Sequence, residues 1–544
     1  MAAVLGVNAV FHDPAAALVV DGEIVAAAEE ERFTRVKHGK EAVPFSTWEV
    51  PSNAARWCLQ RAGLGPADLD AVAYSYEPAI LGGDERDITA DGWEPLRTRY
   101  ARLAPSFLEA ALPGLDGRRV RFVPHHVAHA ASAYLAAPFA DSAVLVLDGR
   151  GERTSHLAGR VTGGELEILR SQELPHSLGL LYEELTVHLG FRRSSDEYKV
   201  MAMSSYAEPT LLGRFRELVR ATGDGGFAVD PISWADLARP RPPGGELLPE
   251  HFALASSVQR RLEEVILELA AWLHAQTGMD ALTLAGGVAL NCVANARLAA
   301  EGPFARVWVQ PASGDSGTAL GGACYEARRA GDQVAPMGSA ALGRSWTDPE
   351  IEAWLVDAGA LYERPPDVAA ATADILASDG VVAWFQGGSE YGPRALGHRS
   401  LLADPRRADN LERLNRIKGR EQFRPVAPMV TLEAAPEIFE GVLPSPYMLF
   451  THRVRPAWRD RIPAAVHVDG SARAQTVAAS DDPLVHRLLT EVGARTGVPV
   501  LVNTSLNTAG RPMVDDPRDA LECWGSAPID ALVIGPFVVR SHQR

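Results

Sequence analysis

Two histidines four residues apart, His125 and His129, open the alanine-rich stretch HHVAHAASAYLAA. On a helix this spacing puts both imidazoles on one face, where together they can bind one metal ion. The other reading is a polar helix start with histidines as caps. Metal chemistry needs carboxylates that reach the same point. Asp148, at the end of the apolar run AVLVLD, and Asp315, in the loop SGDSG, are the candidates. Two nitrogens and two carboxylate oxygens suit iron, manganese or zinc and not a soft metal. Far downstream, Arg394, Arg424 and Arg473 can each grip a carboxylate, carbamate or phosphate through two hydrogen bonds, and Lys418 adds a point charge. Between residues 391 and 425 nine Lys/Arg face four acids, a local excess of +5 in a chain of net charge −16. In LVNTSLN, Asn503 and Ser505 alternate onto one face of a strand and can orient a planar amide-like group. The other reading there is a strand end with turn-forming residues.

These groups need elements to hold them. Residues 3–30 read as strand, loop, strand, Asp-Gly turn and strand, and residues 143–171 repeat the scheme with a Gly-Gly turn. The repeat points to a duplicated α/β domain, with Asn8 through Asp13 at the first strand–loop junction and Asp148 at the second. Three glycine loops follow apolar strands: Gly149, Arg150, Gly151 and Glu152; Gly286 and Gly287, leading to Asn291; and Gly314 beside Asp315. Such loops bring backbone N–H groups to phosphate, and three together suit a nucleotide held in a cleft. A helix is expected over 256–278, capped by Ser256 or Ser257 and ended by Gly278. Turn-rich sequence around 345–370 marks a boundary, giving domains 1–355 and 356–544.

Composition narrows the classes. With 47% hydrophobic and 22% charged residues, the 544-residue chain is a folded globular protein. Its acidity argues against nucleic acid as the partner. The four cysteines form no CxxC pair, which fits a reducing, cytoplasmic setting. The N-terminal apolar run lacks the basic lead of a signal peptide, and no run is long enough for a membrane span. Asp84, Glu85 and Asp87 form a short acidic patch suited to a polyamine or merely to solvent. The sequence leaves a homo-oligomer open.

FHDPAAALVVDG, EEERFTRVKHG, HHVAHAASAY, DGRGE, YKVMAMSSY, GGVALN, GDSGTALGGA, YGPRALGHRSLLADP, IKGREQFRPVAP, SARAQTV and LVNTSLN together resemble the antibiotic O-carbamoyltransferase family. The resemblance runs from about residue 4 to 538. It implies a duplicated ASKHA-type (actin/Hsp70-like) N-terminal domain and a YrdC-like α/β C-terminal domain. It implies that carbamoyl phosphate and ATP, with Mg2+, become carbamoyl-adenylate in the second domain, and that the carbamoyl group passes to a hydroxyl of a natural-product acceptor in the first. By motif, His125, His129, Asp148 and Asp315 match metal ligands, with Fe2+ expected and Mn2+ or Zn2+ as alternatives. Arg394, Lys418, Arg424, Arg473, Asn503 and Ser505 match the carbamoyl phosphate site. Gly286, Gly287 and Asn291 would hold the nucleoside, and Lys199 would contact a phosphate or the edge of the metal site. His12 and Asp13 are the candidates for the acceptor's base, with His12 favoured because its ordinary pKa lies near neutrality. AMSSY departs from the glycine-containing segment of relatives, which leaves the contacts made there open. The other functional readings are a single-chain tRNA threonylcarbamoyladenosine-type synthase and a non-enzymatic ATP-dependent regulatory module.

Overall fold

The alternating apolar runs at the start of the chain form strands Ala3–Asn8 (β1), Ala15–Val20 (β2) and Glu23–Glu29 (β3), joined by the Asp21–Gly22 turn. In this computed structural model, residues 2–41, 43–81, 94–508 and 510–540 are described. Asp84, Glu85 and Asp87 lie outside them. Ala71–Tyr74 (β4) and Val120–Phe122 (β5) complete a sheet of order β3-β2-β1-β4-β5. β1 pairs antiparallel with β2 and parallel with β4. The pattern then recurs. Ser142–Leu147 (β6), Thr154–Thr162 (β7), Glu165–Glu173 (β8), Ala281–Ala285 (β9) and Arg306–Val309 (β10) form a sheet of order β8-β7-β6-β9-β10. Here too the first pair is antiparallel and β6 lies parallel to β9. The expected duplication of an α/β sheet is therefore present.

Two helices pack between these elements: His125–Tyr134 (α1) and Gly317–Arg329 (α3, after the helix named next). They approach closely because Gly321 lacks a side chain; a Cβ there would stand 1.8 Å from Ala128 O. The long helix Pro249–Thr277 (α2) starts seven residues before the expected Ser256 and ends, as expected, on Gly278 at φ +62°. Pro249 opens it, and His251 Nδ1 accepts the Leu248 N–H. Ser257 does not cap; its hydroxyl bonds back to Ala253 O.

The chain divides into Met1–Met337 and Gly338–Arg544. Residues 338–355, placed with the first domain in the sequence reading, pack in the second unit: Gly343 N donates to Ser389 O, Arg344 pairs with Asp515, and Ile351 and Leu355 enter its core. That unit is built on Tyr362–Glu363 (β11), Val382–Phe385 (β12), Arg399–Ala403 (β13), Ala427–Thr431 (β14), Gln475–Val477 (β15), Val500–Ser505 (β16), Ala531–Ile534 (β17) and Phe537–Arg540 (β18). They form one mixed sheet, β11-β18-β17-β12-β13-β16-β14-β15. Period-two alternation sends Ala383 and Phe385 into one core and Val382 and Trp384 into another, so both faces are covered. All four cysteines are buried and unbridged. Among the described residues no helix is long and apolar enough to cross a membrane.

Candidate functional site

His125 is the first residue of α1, directly after β5, and one helical turn brings His129 beside it. The backbone N–H of His125 donates 2.9 Å to Glu152 Oε1, which also accepts from Glu77 N. Glu152, expected at a nucleotide, thus serves as a buried acceptor for the helix start; burial raises its pKa. Asp148 follows β6. Its Oδ1 accepts the Gly287 N–H at 2.9 Å, which leaves Oδ2 turned toward the imidazoles. Ser177 caps its helix and pins the loop through Asp148 O and Gly149 O. Asp315 leads into α3.

His125 Nε2 stands 3.5 Å from Asp148 Oδ2 and 3.6 Å from Asp315 Oδ1; His129 Nε2 stands 3.7 and 3.6 Å from the same atoms. All four donors lie within 4.8 Å of one another and all four residues are buried. His125 Nε2, both ring nitrogens of His129 and Asp315 Oδ2 have no hydrogen-bond partner among the described residues. Donors about 2.1 Å from a divalent ion stand about 3.4 Å apart in a tetrahedron, so the spacing fits an ion. Burial lowers the His125 pKa, but Asp148 and Asp315 outweigh it and raise it well above the usual value. Burial likewise raises both carboxyl groups, and the imidazoles hold both below the ordinary carboxylate range: His129, His125 and His126 for Asp148, His12, His125 and His129 for Asp315. Such a group collects cations, either protons or one divalent ion.

His126 is a third imidazole that spacing alone did not single out. Its Nδ1 meets Thr154 Oγ1 at 2.7 Å and its buried Nε2 lies 3.6 Å from Asp148 Oδ2. Burial pushes its pKa down to about 4. His12 reaches the same centre from the β1–β2 loop: Nε2 is 3.6 Å from Asp315 Oδ2, and Nδ1 is 2.9 Å from Asp13 Oδ2. Burial lowers the His12 pKa, but Asp315 and Asp13 override it and push it up to about 10. Asn8 Nδ2 staples the loop by donating to His12 O and Asp13 O.

The nucleotide candidates are placed as follows. Gly286 has φ +90° with Leu147 O against its α-carbon, and Gly287 serves Asp148. Asn291 caps the helix Cys292–Glu301 and exchanges hydrogen bonds with Gln259. Lys199 pairs with Asp196 at 3.2 Å and lies over the Phe191 ring. Gly151 faces the His126 ring, and Gly314 lies near Leu290. Arg150 is half-buried.

In the second unit, Lys418 ends the helix Asp409–Ile417 (α4). Its ammonium faces four protein oxygens: Ser505 O, Ser505 Oγ at 3.0 Å, Asn507 O at 3.3 Å and Asn507 Oδ1 at 2.5 Å. Two residues back on β16, Asn503 Nδ2 donates to Ala395 O in the Arg394 loop and to Gln475 Oε1, two residues past Arg473. Gln475 in turn donates to Leu396 O. The Arg394 loop is wrapped around Glu390 Oε1, which accepts from the backbone N–H groups of Leu396, His398 and Arg399. Arg473 Nε and Asn503 Oδ1 are buried without a hydrogen-bond partner among the described residues. Arg424 pairs with Glu421 at 3.6 Å, and its carbonyl accepts from Asn415. Glu390, Gln475 and Asn507 were not singled out from the sequence. The only available signal was their place inside quoted or adjoining motifs.

Residues 373–541 match the family described as Carbamoyltransferase C-terminus. Residues 3–81, 97–236 and 241–324 match Carbamoyltransferase N-terminus. An uncharacterized protein of Synechocystis sp., sll1178, is 36% identical over 99% of this chain and 97% of its own length. Nodulation protein NolNO of Sinorhizobium fredii is 36% identical over 98% of this chain and 80% of its own. Nodulation protein U of Rhizobium tropici is 31% identical over 94% of this chain and 92% of its own. With both halves of the chain matched, it belongs to the carbamoyltransferase family and is an enzyme that transfers carbamoyl groups.

Proposed function

We propose that the chain is an O-carbamoyltransferase working in two half-reactions. In the second unit, water hydrolyses carbamoyl phosphate to carbamate and inorganic phosphate; the carbamate oxygen then attacks the α-phosphorus of Mg2+-ATP, carbamoyl-adenylate forms and pyrophosphate leaves. In the first unit, an acceptor hydroxyl attacks the carbamoyl carbon, AMP leaves, and the hydroxyl proton passes to His12 Nε2. The acceptor is a hydroxyl-bearing natural product such as an antibiotic sugar or aminocyclitol. The observation that carries this reading is the buried His125, His129, Asp148 and Asp315 cluster with His12 at its edge, in a carbamoyltransferase.

Lys418, Arg394, Arg424, Arg473, Asn503 and Ser505 bind the anionic substrate. Lys418 has three hydrogens facing four oxygens, so an incoming anion takes over one of them without moving the ammonium. The three glycine loops and Lys199 take the nucleotide phosphates in the first unit. His125, His129, Asp148 and Asp315 would hold the divalent ion, iron, manganese or zinc by donor type, which supplies Lewis acidity toward the adenylate phosphate. His12 gives Nδ1–H to Asp13, and a divalent ion held beside Asp315 would offset the negative charge that raises the His12 pKa, leaving the Nε2 lone pair for the hydroxyl proton.

The test is incubation with ATP and carbamoyl phosphate alone, followed by detection of carbamoyl-adenylate and pyrophosphate. Their formation without tRNA is expected. A strict need for threonine, bicarbonate and tRNA would establish the threonylcarbamoyl reading instead, and no turnover would favour a regulatory module. Screening natural-product acceptors for a mass gain of one carbamoyl group then identifies the hydroxyl.

A further inference from the structure

His12 does not stand alone on its loop. Its Nδ1 meets Asp13 Oδ2 at 2.9 Å; the other oxygen, Asp13 Oδ1, meets His38 Nδ1 at 2.8 Å; and His38 Nε2 meets Ser195 Oγ at 2.7 Å. Because a carboxylate only accepts, both Nδ1 atoms facing Asp13 carry hydrogens. The chain of contacts joins three distant segments, and each segment is held in an unfavourable backbone conformation at that place. Asp13 has φ +49°, His38 +63° and Ser194, beside Ser195, +52°; these are three of seven non-glycine residues with positive φ among those described. Backbone strain concentrated where three side chains meet must be sustained by the contacts it makes. The His38 backbone is fixed as well, its N–H donating 2.7 Å to Glu31 Oε2. Glu31 and His38 both come from the motif EEERFTRVKHG.

We infer that His38 is a positioning residue for carbamoyl transfer: through Asp13 it fixes the His12 imidazole with Nδ1 hydrogen-bonded and Nε2 turned to the Asp315 side of the centre. A carboxylate held by one imidazole alone can rotate about its own side-chain bonds. Held at both oxygens it cannot, and the His12 ring inherits that restraint. The inference rests on the proposed function for its catalytic meaning, since His12 is the base there. The placement of His12 can be read without any acceptor.

The experiment uses the full-length protein labelled with 15N-histidine. Imidazole protons hydrogen-bonded to a carboxylate resonate far downfield, and His12→Asn assigns the His12 signal by removing it. Two variants of equal shape then separate the hydrogen bond from packing. His38→Asn tolerates positive φ and offers an amide N–H where Nδ1–H stood. His38→Asp tolerates it too but has no proton to give and repels Asp13. The His12 signal should persist in His38→Asn and vanish in His38→Asp, with thermal melts showing both variants folded. A signal that survives in both variants, disappears in both, or is missing from the wild type overturns the inference. Pyrophosphate release from ATP and carbamoyl phosphate should be the same in wild type and both variants. Its absence from the wild type would sink the proposed function and leave the His12 result standing.

Discussion

Gly286→Ala tests whether the turn after β9 sets the geometry of the candidate metal centre. A Cβ at Gly286 would lie 2.2 Å from Leu147 O and 2.6 Å from Leu147 C, with φ at +90°. The obstructing atoms are backbone of β6, so no rotamer change relieves them. Ordinary contact begins at 3.4 Å, so the turn must withdraw by about 1.2 Å in a close-packed interior. A side chain at φ +90°, ψ 159°, a region essentially reserved for glycine, adds about 1–3 kcal/mol and overpacking about 1–3 kcal/mol. The next residue along is Gly287, whose N–H holds Asp148 Oδ1. A shift of that size breaks the hydrogen bond and frees the carboxylate to rotate. Losing an outer hydrogen bond to a ligand typically weakens metal affinity about 10–100-fold. Cobalt binding by calorimetry, with a thermal melt, measures both effects. Gly278→Ala is the control: Gly278 also has positive φ, but nothing lies within 4 Å of its Cβ position. It should lose stability by about 1–2 kcal/mol and keep its cobalt affinity. If Gly286→Ala binds cobalt within threefold of wild type, or Gly278→Ala is equally impaired, the reasoning fails.

His129→Ala should leave pyrophosphate release intact and abolish carbamoyl transfer, and it should lose the rise in melting temperature that cobalt at 100 times its Kd gives the wild type, worth about 2.7 kcal/mol; loss of the first half-reaction would show that the two reactions are not divided as proposed. Lys418→Met should cut pyrophosphate release by about 100-fold or more while leaving cobalt binding unchanged; near-normal release would remove Lys418 from the anion site. His156 is fully buried with neither ring nitrogen partnered among the described residues, and burial, then the charges of His126 and Arg170, push its pKa down to about 3. The unfolded chain therefore binds a proton near pH 6.5 that the folded chain refuses, and stability falls as pH drops through that window. His156→Leu should close the stability gap between pH 7 and pH 4.5 by about 2–3 kcal/mol in denaturant melts; an unchanged gap refutes it.

The pairing of the two histidines was more legible in the sequence than the scaffolding around them. Helical spacing was enough to bring His125 and His129 together, because an i, i+4 pair depends only on local geometry. The hairpins of both copies were legible from Asp-Gly and Gly-Gly turns. His126 escaped notice because its partner, Thr154, lies on β7, and no local period of the α1 sequence encodes that contact. Glu152 was named as part of the glycine loop after β6; that its carboxylate accepts the N–H groups of His125 and Glu77 is a tertiary contact that no local pattern encodes. The start of α2 was misplaced because Ser256 and Ser257 resemble caps, while Pro249 and His251 open the helix without that signature. Asn507 and Gln475 act by joining segments tens of residues apart, which is tertiary information.

The two copies of the N-terminal sheet have parted ways at one equivalent position. AVLGVN and AVLVLD align Asn8 with Asp148. One is a neutral clasp whose amide hydrogens bind two carbonyls of its own loop; the other carries a negative charge and faces inward. A symmetric pair of carboxylates would have set two anions in the same interior. The amide at one of them removes that repulsion and fastens the His12–Asp13 loop. Asn8→Asp would therefore cost the molecule twice, once in an oxygen aimed at two carbonyls and once in a surplus anion at a fully buried position.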